Sequence, residues 1–272
     1  GLGLRAIISN DHGETWDREN DVVVWDNTMS EREKKAIYSR ADEPGVVREE
    51  IDLTSPDSVV FFKRSPRSEG EDLRGRTIFD AHAFRSADRG RNWEEVPTRV
   101  QPPPPFKSII MDAMPPIVFP DGTLVVAGYN VMNIDSGMGW IPALYGSDDK
   151  GLTWDYMAEI ARDPDEDVGG MNYLRLLLLP SGRLQCYMLH RAGRRNNVIV
   201  MSYSDDGGYT WSRPASLVRW GHSPWASLSR QYAWSGARPH GVRYRSPWPL
   251  QLRDGRIVVI FGRRKAPFGM GL

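Results

Sequence analysis

"SDDGGYTW" (Ser204–Trp211) is written three more times in the chain with small changes: "SNDHGETW" (Ser9–Trp16), "SADRGRNW" (Ser86–Trp93) and "SDDKGLTW" (Ser147–Trp154). All four fit Ser-x-Asp-x-Gly-x-Thr/Asn-Trp. The letters describe a turn: the aspartate can accept from nearby backbone N–H groups, the glycine can take positive φ, and the tryptophan offers a large apolar face to a neighbouring unit. The pattern is therefore a structural device, with Asp11, Asp88, Asp149 and Asp206 as the turn carboxylates and Trp16, Trp93, Trp154 and Trp211 as the packing anchors.

Three stretches share a second pattern, an apolar run, a Gly-containing turn and another apolar run: "PPIVFPDGTLVVAGY", "LRLLLLPSGRLQCYML" and "PLQLRDGRIVVIFG". Each reads as a β-hairpin. Ser147 follows Gly122 by 25 residues and Ser204 follows Gly182 by 22, so hairpin and octapeptide form one repeating unit of four strands. Helical periodicity is confined to "MSEREKKAIYSR", and the chain as a whole reads as all-β. Spacings of 77, 61 and 57 residues between successive box tryptophans exceed a minimal propeller blade and leave room for functional loops.

The 272 residues carry 35 basic and 35 acidic side chains, so zero formal net charge gives no support for nucleic acid or an anionic membrane as partner. Cys186, the single cysteine, excludes an intrachain disulfide. No apolar run approaches the roughly 20 residues of a membrane-spanning helix. The sequence opens on Gly1 and shows no signal-peptide pattern, which leads us to expect one domain over residues 1–272, truncated at both ends.

The octapeptides resemble the Asp boxes of the sialidase (neuraminidase) superfamily, also called bacterial neuraminidase repeats, and the resemblance covers most of the chain. It implies a sialidase-like β-propeller of four-stranded blades, a partial arc of a six-bladed ring. It also implies a glycan or glycoconjugate substrate and a secreted or periplasmic protein; no cofactor or metal is expected, since no such motif stands in the letters beyond the weak carboxylate spacing of Asp163, Asp165 and Asp167. The boxes identify the scaffold only, since they lie away from the central site.

In sialidases three arginines hold the substrate carboxylate, an aspartate acts as acid/base and a tyrosine paired with glutamate attacks the anomeric carbon, an exception to the two-carboxylate rule. Arg191, in "YMLHRAGRRNN", ends a hairpin before a box as the family's second arginine does, and is either a carboxylate clamp or part of a solvated basic loop. Arg263 and Arg264 hold the corresponding place one blade later, as a second clamp or a surface pair. Asp112 enters a blade ten residues before Gly122, among Ile110, Met111 and Met114, either as a general acid or as a strand cap. Tyr173 stands where related propeller hydrolases carry glutamate, and reads as a pocket wall rather than a nucleophile. His240 lies in a loop rich in Trp and Arg that suits a sugar face. The expected activity is exo-acting hydrolysis releasing a terminal acidic sugar; the alternative is a non-catalytic propeller that binds carbohydrate or protein.

Overall fold

The computed structural model describes residues 3–71, 77–111, 114–134, 137–162, 170–192, 196–217, 244–263 and 269–271. Five antiparallel sheets follow one another along the chain. The first pairs β1 (Gly3–Ile8) with β2 (Asp17–Asp26). Helix α1 (Glu31–Ser39) comes next, the one helix the charged stretch predicts. Its start is fixed by a capping box: Ser30 Oγ accepts from the Glu33 amide, and the Glu33 carboxylate accepts from the Ser30 amide at 2.7 Å.

The second sheet is β3 (Val59–Glu71), β4 (Thr77–Ser86) and β5 (Thr98–Val100). In the third, β6 (Ser108–Met111) and β7 (Ile117–Val118) both pair with β8 (Leu124–Ile134), followed by β9 (Gly137–Ser147) and β10 (Asp155–Glu159). The fourth runs β11 (Met171–Leu178), β12 (Leu184–Ala192), β13 (Asn196–Ser204), β14 (Ala215–Ser216). The fifth is β15 (Tyr244–Gln251), β16 (Ile257–Arg263) and β17 (Gly269–Gly271). All three expected hairpins are present, as β7–β8, β11–β12 and β15–β16.

Strands β3 and β4 lie against β6, β8 and β9 against β11, and β11 to β13 against β15, so the second to fifth sheets stack in chain order. A strand sandwiched between two sheets is buried on both faces. Hence Leu124, Val125, Val126 and Ala127 in β8 are all fully buried, and the sequence there is a continuous apolar run instead of an alternation.

Each box is a tight loop between consecutive strands, and in the third and fourth sheets it joins the third strand to the fourth. Its backbone repeats: the residue after the aspartate is left-handed in every case (His12, Arg89, Lys150, Gly207), and so is the glycine that follows. The serine hydroxyl donates to the aspartate at 2.7–2.8 Å and accepts from the glycine amide, while the aspartate accepts from the amide and side chain of the Thr or Asn four residues on. These bonds hold Asp11 down at about 2, chiefly through Thr15, and Asp88 at about 2, chiefly through the Asn92 amide.

The tryptophans depart from the expectation of general burial. Trp154 is buried, edge-on to Phe62 of the preceding sheet, and Trp93 and Trp211 are half-buried. Trp16 is 55% exposed. A box tryptophan is buried by what its neighbours supply, and among the described residues no aromatic ring packs on Trp16 as Phe61 does on Trp93.

One face of the second sheet is closed by α1 and β2. Tyr38 stacks on Trp25 at 5.3 Å and leans over His82 at 4.7 Å, while Trp25 meets Phe84 edge-on. His82 is 3% exposed, its Nδ1 2.6 Å from Ser65 Oγ, and in register it stands between Lys63 and Arg99. Burial, with Arg99 adding, pushes its imidazole down to about 4; Asp80, Asp42 and the Tyr38 carbonyl oppose this. A depressed histidine supplies stability that is fully present above its ordinary value of 6.5 and is lost as the pH falls through about 4. We therefore expect chemical denaturation midpoints to decline from pH 7 to pH 4.5 in the wild type. In His82→Gln, which keeps a neutral partner for Ser65, that part of the slope should vanish; an unchanged slope would place the titration elsewhere.

Candidate functional site

The first strands of the third, fourth and fifth sheets, which lie against the preceding sheets, share one irregularity. Met111 pairs with Gly128 and Ile117 with Val125, so the pairing with β8 is interrupted across Val126 and Ala127. In β11, Asn172 pairs with Leu189 and Arg175 with Tyr187, leaving Tyr173 and Leu174 opposite Met188 alone. In β15, Arg245 pairs with Gly262 and Trp248 with Ile260, leaving Ser246 and Pro247 opposite Phe261. In β11 and β15 these are bulges, and they fall at one level: Asn172 and Arg245 each precede their hairpin glycine, Gly182 and Gly255, by ten residues, the offset that Asp112 has from Gly122 in the sequence. Tyr173 (φ 53°) and Ser246 (φ 49°) are the non-glycine residues with left-handed backbone outside the boxes, among the described residues. Strain of this kind concentrates where a side chain must be aimed.

Of the expected site residues, Tyr173 lies in the β11 bulge, half-buried. Arg191, in β12 opposite Asn197, and Arg263, the last residue of β16 opposite Tyr244, occupy strand positions at the same end of their sheets as the bulges. Asp112, Arg264 and His240 lie outside the described residues.

The sequence reading passed over Arg245, Asn172 and Arg175. Arg245 Nη1 donates to the Tyr173 phenol oxygen at 3.2 Å, and its guanidinium lies 5.7 Å from that ring's centroid. One step below the bulges, Arg175 sits over Trp248 at 4.8 Å and donates to the Leu174 carbonyl at 2.6 Å. Asn172 Oδ1 and Arg245 Nε are buried with no hydrogen-bond partner among the described residues. The signal for Arg245 was available: the ten-residue offset that singles out Asp112 from Gly122 singles out Arg245 from Gly255. Among the described residues no three His, Cys, Asp or Glu side chains cluster as metal ligands, and no helix is long and apolar enough to cross a membrane.

Gly170 fixes where β11 enters this level. It has φ 68°, and a Cβ there would overlap the Trp140 carbonyl oxygen and come within 2.7 Å of the Trp140 amide nitrogen, both backbone atoms that cannot swing away. Gly170→Ala is expected to cost about 2–3 kcal/mol from left-handed strain and overpacking together. Thermal unfolding checks this; a shift of less than a degree would contradict the close approach.

Stacked antiparallel sheets whose outer strands are joined by Asp-box turns define an Asp-box β-propeller of the sialidase type. The chain belongs to the BNR repeat-like domain family, whose model matches residues 52–220. No curated protein matches it. Solved structures that resemble it include a protein of unknown function from Dyadobacter fermentans (20% identity, TM-score 0.59, covering 98% of this chain and 66% of that one). A Hadza microbial sialidase (16%, TM-score 0.53, 94% and 46%) and the Trypanosoma rangeli sialidase in complex with sialic acid (17%, TM-score 0.52, 94% and 38%) are similar too. At these identities the likeness is one of fold, and the chain spans between 38% and 66% of those proteins' lengths.

Proposed function

We propose that residues 1–272 form one propeller domain that carries the site of an exo-acting glycoside hydrolase releasing a terminal acidic sugar from glycans. The observation that carries the reading is the bulge shared by two consecutive first strands, which brings Tyr173 and Arg245 to one level, with Asp112 at the same sequence offset from its own hairpin glycine. Membership of the BNR repeat-like family and the sialidase folds among similar structures support it.

The chemistry follows from the residue types. A guanidinium is a planar, permanently charged fork that matches a carboxylate, so Arg245, with Arg191 and Arg263 at the same end of their sheets, supplies the clamp for an acidic sugar. Asp112 is the group to protonate the leaving oxygen, while a water molecule adds to the anomeric carbon and gives up its proton to solvent. Hydrolysis of a panel of aryl glycosides, sialosides included, tests the reading, with sialosides expected to turn over. Tyr173 in place of a glutamate favours a second reading, a glycan-binding propeller without turnover. An inert parent that still retains a glycan on an array would replace the first reading by the second.

A further inference from the structure

Two buried polar atoms at the bulge level demand partners. Among the described residues Asn172 Oδ1 is an acceptor without a donor and Arg245 Nε a donor without an acceptor, and both belong to residues at equivalent positions of adjacent first strands. Orphaned buried groups are rare in folded proteins, and each costs on the order of a hydrogen bond's desolvation unless something else satisfies it. Tyr173, next to Asn172 in the chain, is held in left-handed backbone with its phenol oxygen accepting from Arg245 Nη1 at 3.2 Å.

That bond constrains what the phenol can do. With one lone pair of the oxygen taken by the guanidinium, the phenol's own proton points away from Arg245 and needs an acceptor. A nucleophile would need that oxygen stripped of its proton and aimed at carbon, with a base beside it; here it is braced against a cation. From this arrangement we infer that Tyr173 is a specificity residue, positioned by Arg245, which donates its phenol proton to one oxygen of a sugar ring while Asn172 Oδ1 accepts from an adjacent hydroxyl. The ligand class is a pyranose or furanose presenting two neighbouring oxygens, one accepting and one donating. The inference rests on the glycan-acting reading and deepens it.

The test is steady-state kinetics of the parent protein on its best sialoside or aryl glycoside, with Tyr173→Phe, Asn172→Leu, Arg245→Ala and Arg245→Lys, each checked for an unchanged melting temperature. Removing a recognition bond made equally in ground and transition states raises KM and leaves kcat alone. Tyr173→Phe is therefore expected to raise KM about tenfold with kcat within about twofold, the size of one neutral hydrogen bond. Arg245→Ala should remove that dependence, so that adding Tyr173→Phe to it costs nothing further, and Arg245→Lys should restore part of it. Asn172→Leu should raise KM for the intact sugar but not for the analogue lacking the bonded hydroxyl. A kcat loss of a thousandfold or more in Tyr173→Phe would make the phenol the nucleophile and overturn the assignment, as would a variant indistinguishable from the parent. If the parent turns over nothing on the panel, the same variants are compared on a glycan array, where Tyr173→Phe and Asn172→Leu are expected to weaken retention. If the parent also binds no glycan, the glycan-acting reading fails and takes this inference with it.

Discussion

Glu94→Ala is expected to destabilise the protein by about 3–5 kcal/mol, the cost of leaving a buried charge without its partner. Glu94 follows the tryptophan of the second box and Arg85 precedes its serine, and both side chains are 1% exposed. Their atoms meet at 2.7 Å (Nη2–Oε2) and 3.1 Å (Nε–Oε1), and Arg85 also donates to the carbonyls of Glu49 at 3.1 Å and Ile51 at 3.3 Å. The Arg85 amide donates to Glu94 Oε1 and the Glu94 amide to the Arg85 carbonyl, each at 2.9 Å, closing the box loop at its base. Removing the carboxylate strands a guanidinium that no solvent reaches. Urea or thermal denaturation measures the loss. The double replacement Arg85→Met, Glu94→Leu should recover most of it, because it removes both charges and refills the space. Should Glu94→Ala cost under 1 kcal/mol, the pair is neither as dry nor as closely made as described.

That pair also marks the limit of what a repeat discloses. The four boxes were legible because each needs the same acceptor, the same left-handed glycine and the same anchor, so the letters recur. Their flanks are different each time: Ile8 and Asp17, Arg85 and Glu94, Gly146 and Asp155, Tyr203 and Ser212. The last pair closes its loop through the Ser212 amide and hydroxyl, with no charge at all. A one-off solution leaves no periodic trace, and nothing in the letters around Arg85 separated it from a surface arginine. Burial is a property of the neighbour, so Trp16 and Trp154 carry the same sequence sign and end up exposed and buried respectively. The site was half legible for a similar reason. Counting back from the hairpin glycine found Asp112 and Tyr173, but a strand read as regular hides a bulge, and the bulge is what turns Tyr173 toward Arg245.

Asp112→Asn is the substitution expected to cost most in turnover, and its dependence on the leaving group is the signature that identifies an acid. Strand β6 stops at Met111 while its partner β8 continues, and Asp112 is the next residue in the sequence. In the sequence Asp112 stands among Ile110, Met111 and Met114, and its role as the acid is part of the hydrolase reading proposed above. Protonating a departing sugar oxygen contributes typically about 10²–10⁴-fold, so kcat on a natural glycan should fall by about that much while the melting temperature stays put. A nitrophenyl leaving group departs without a proton, so on that substrate the same variant should keep its glycosyl-transfer step nearly intact. Equal losses on both substrates would assign Asp112 to binding or to strand capping. A loss confined to the glycan, reversed with the better leaving group, fits only a proton donor at the scissile oxygen.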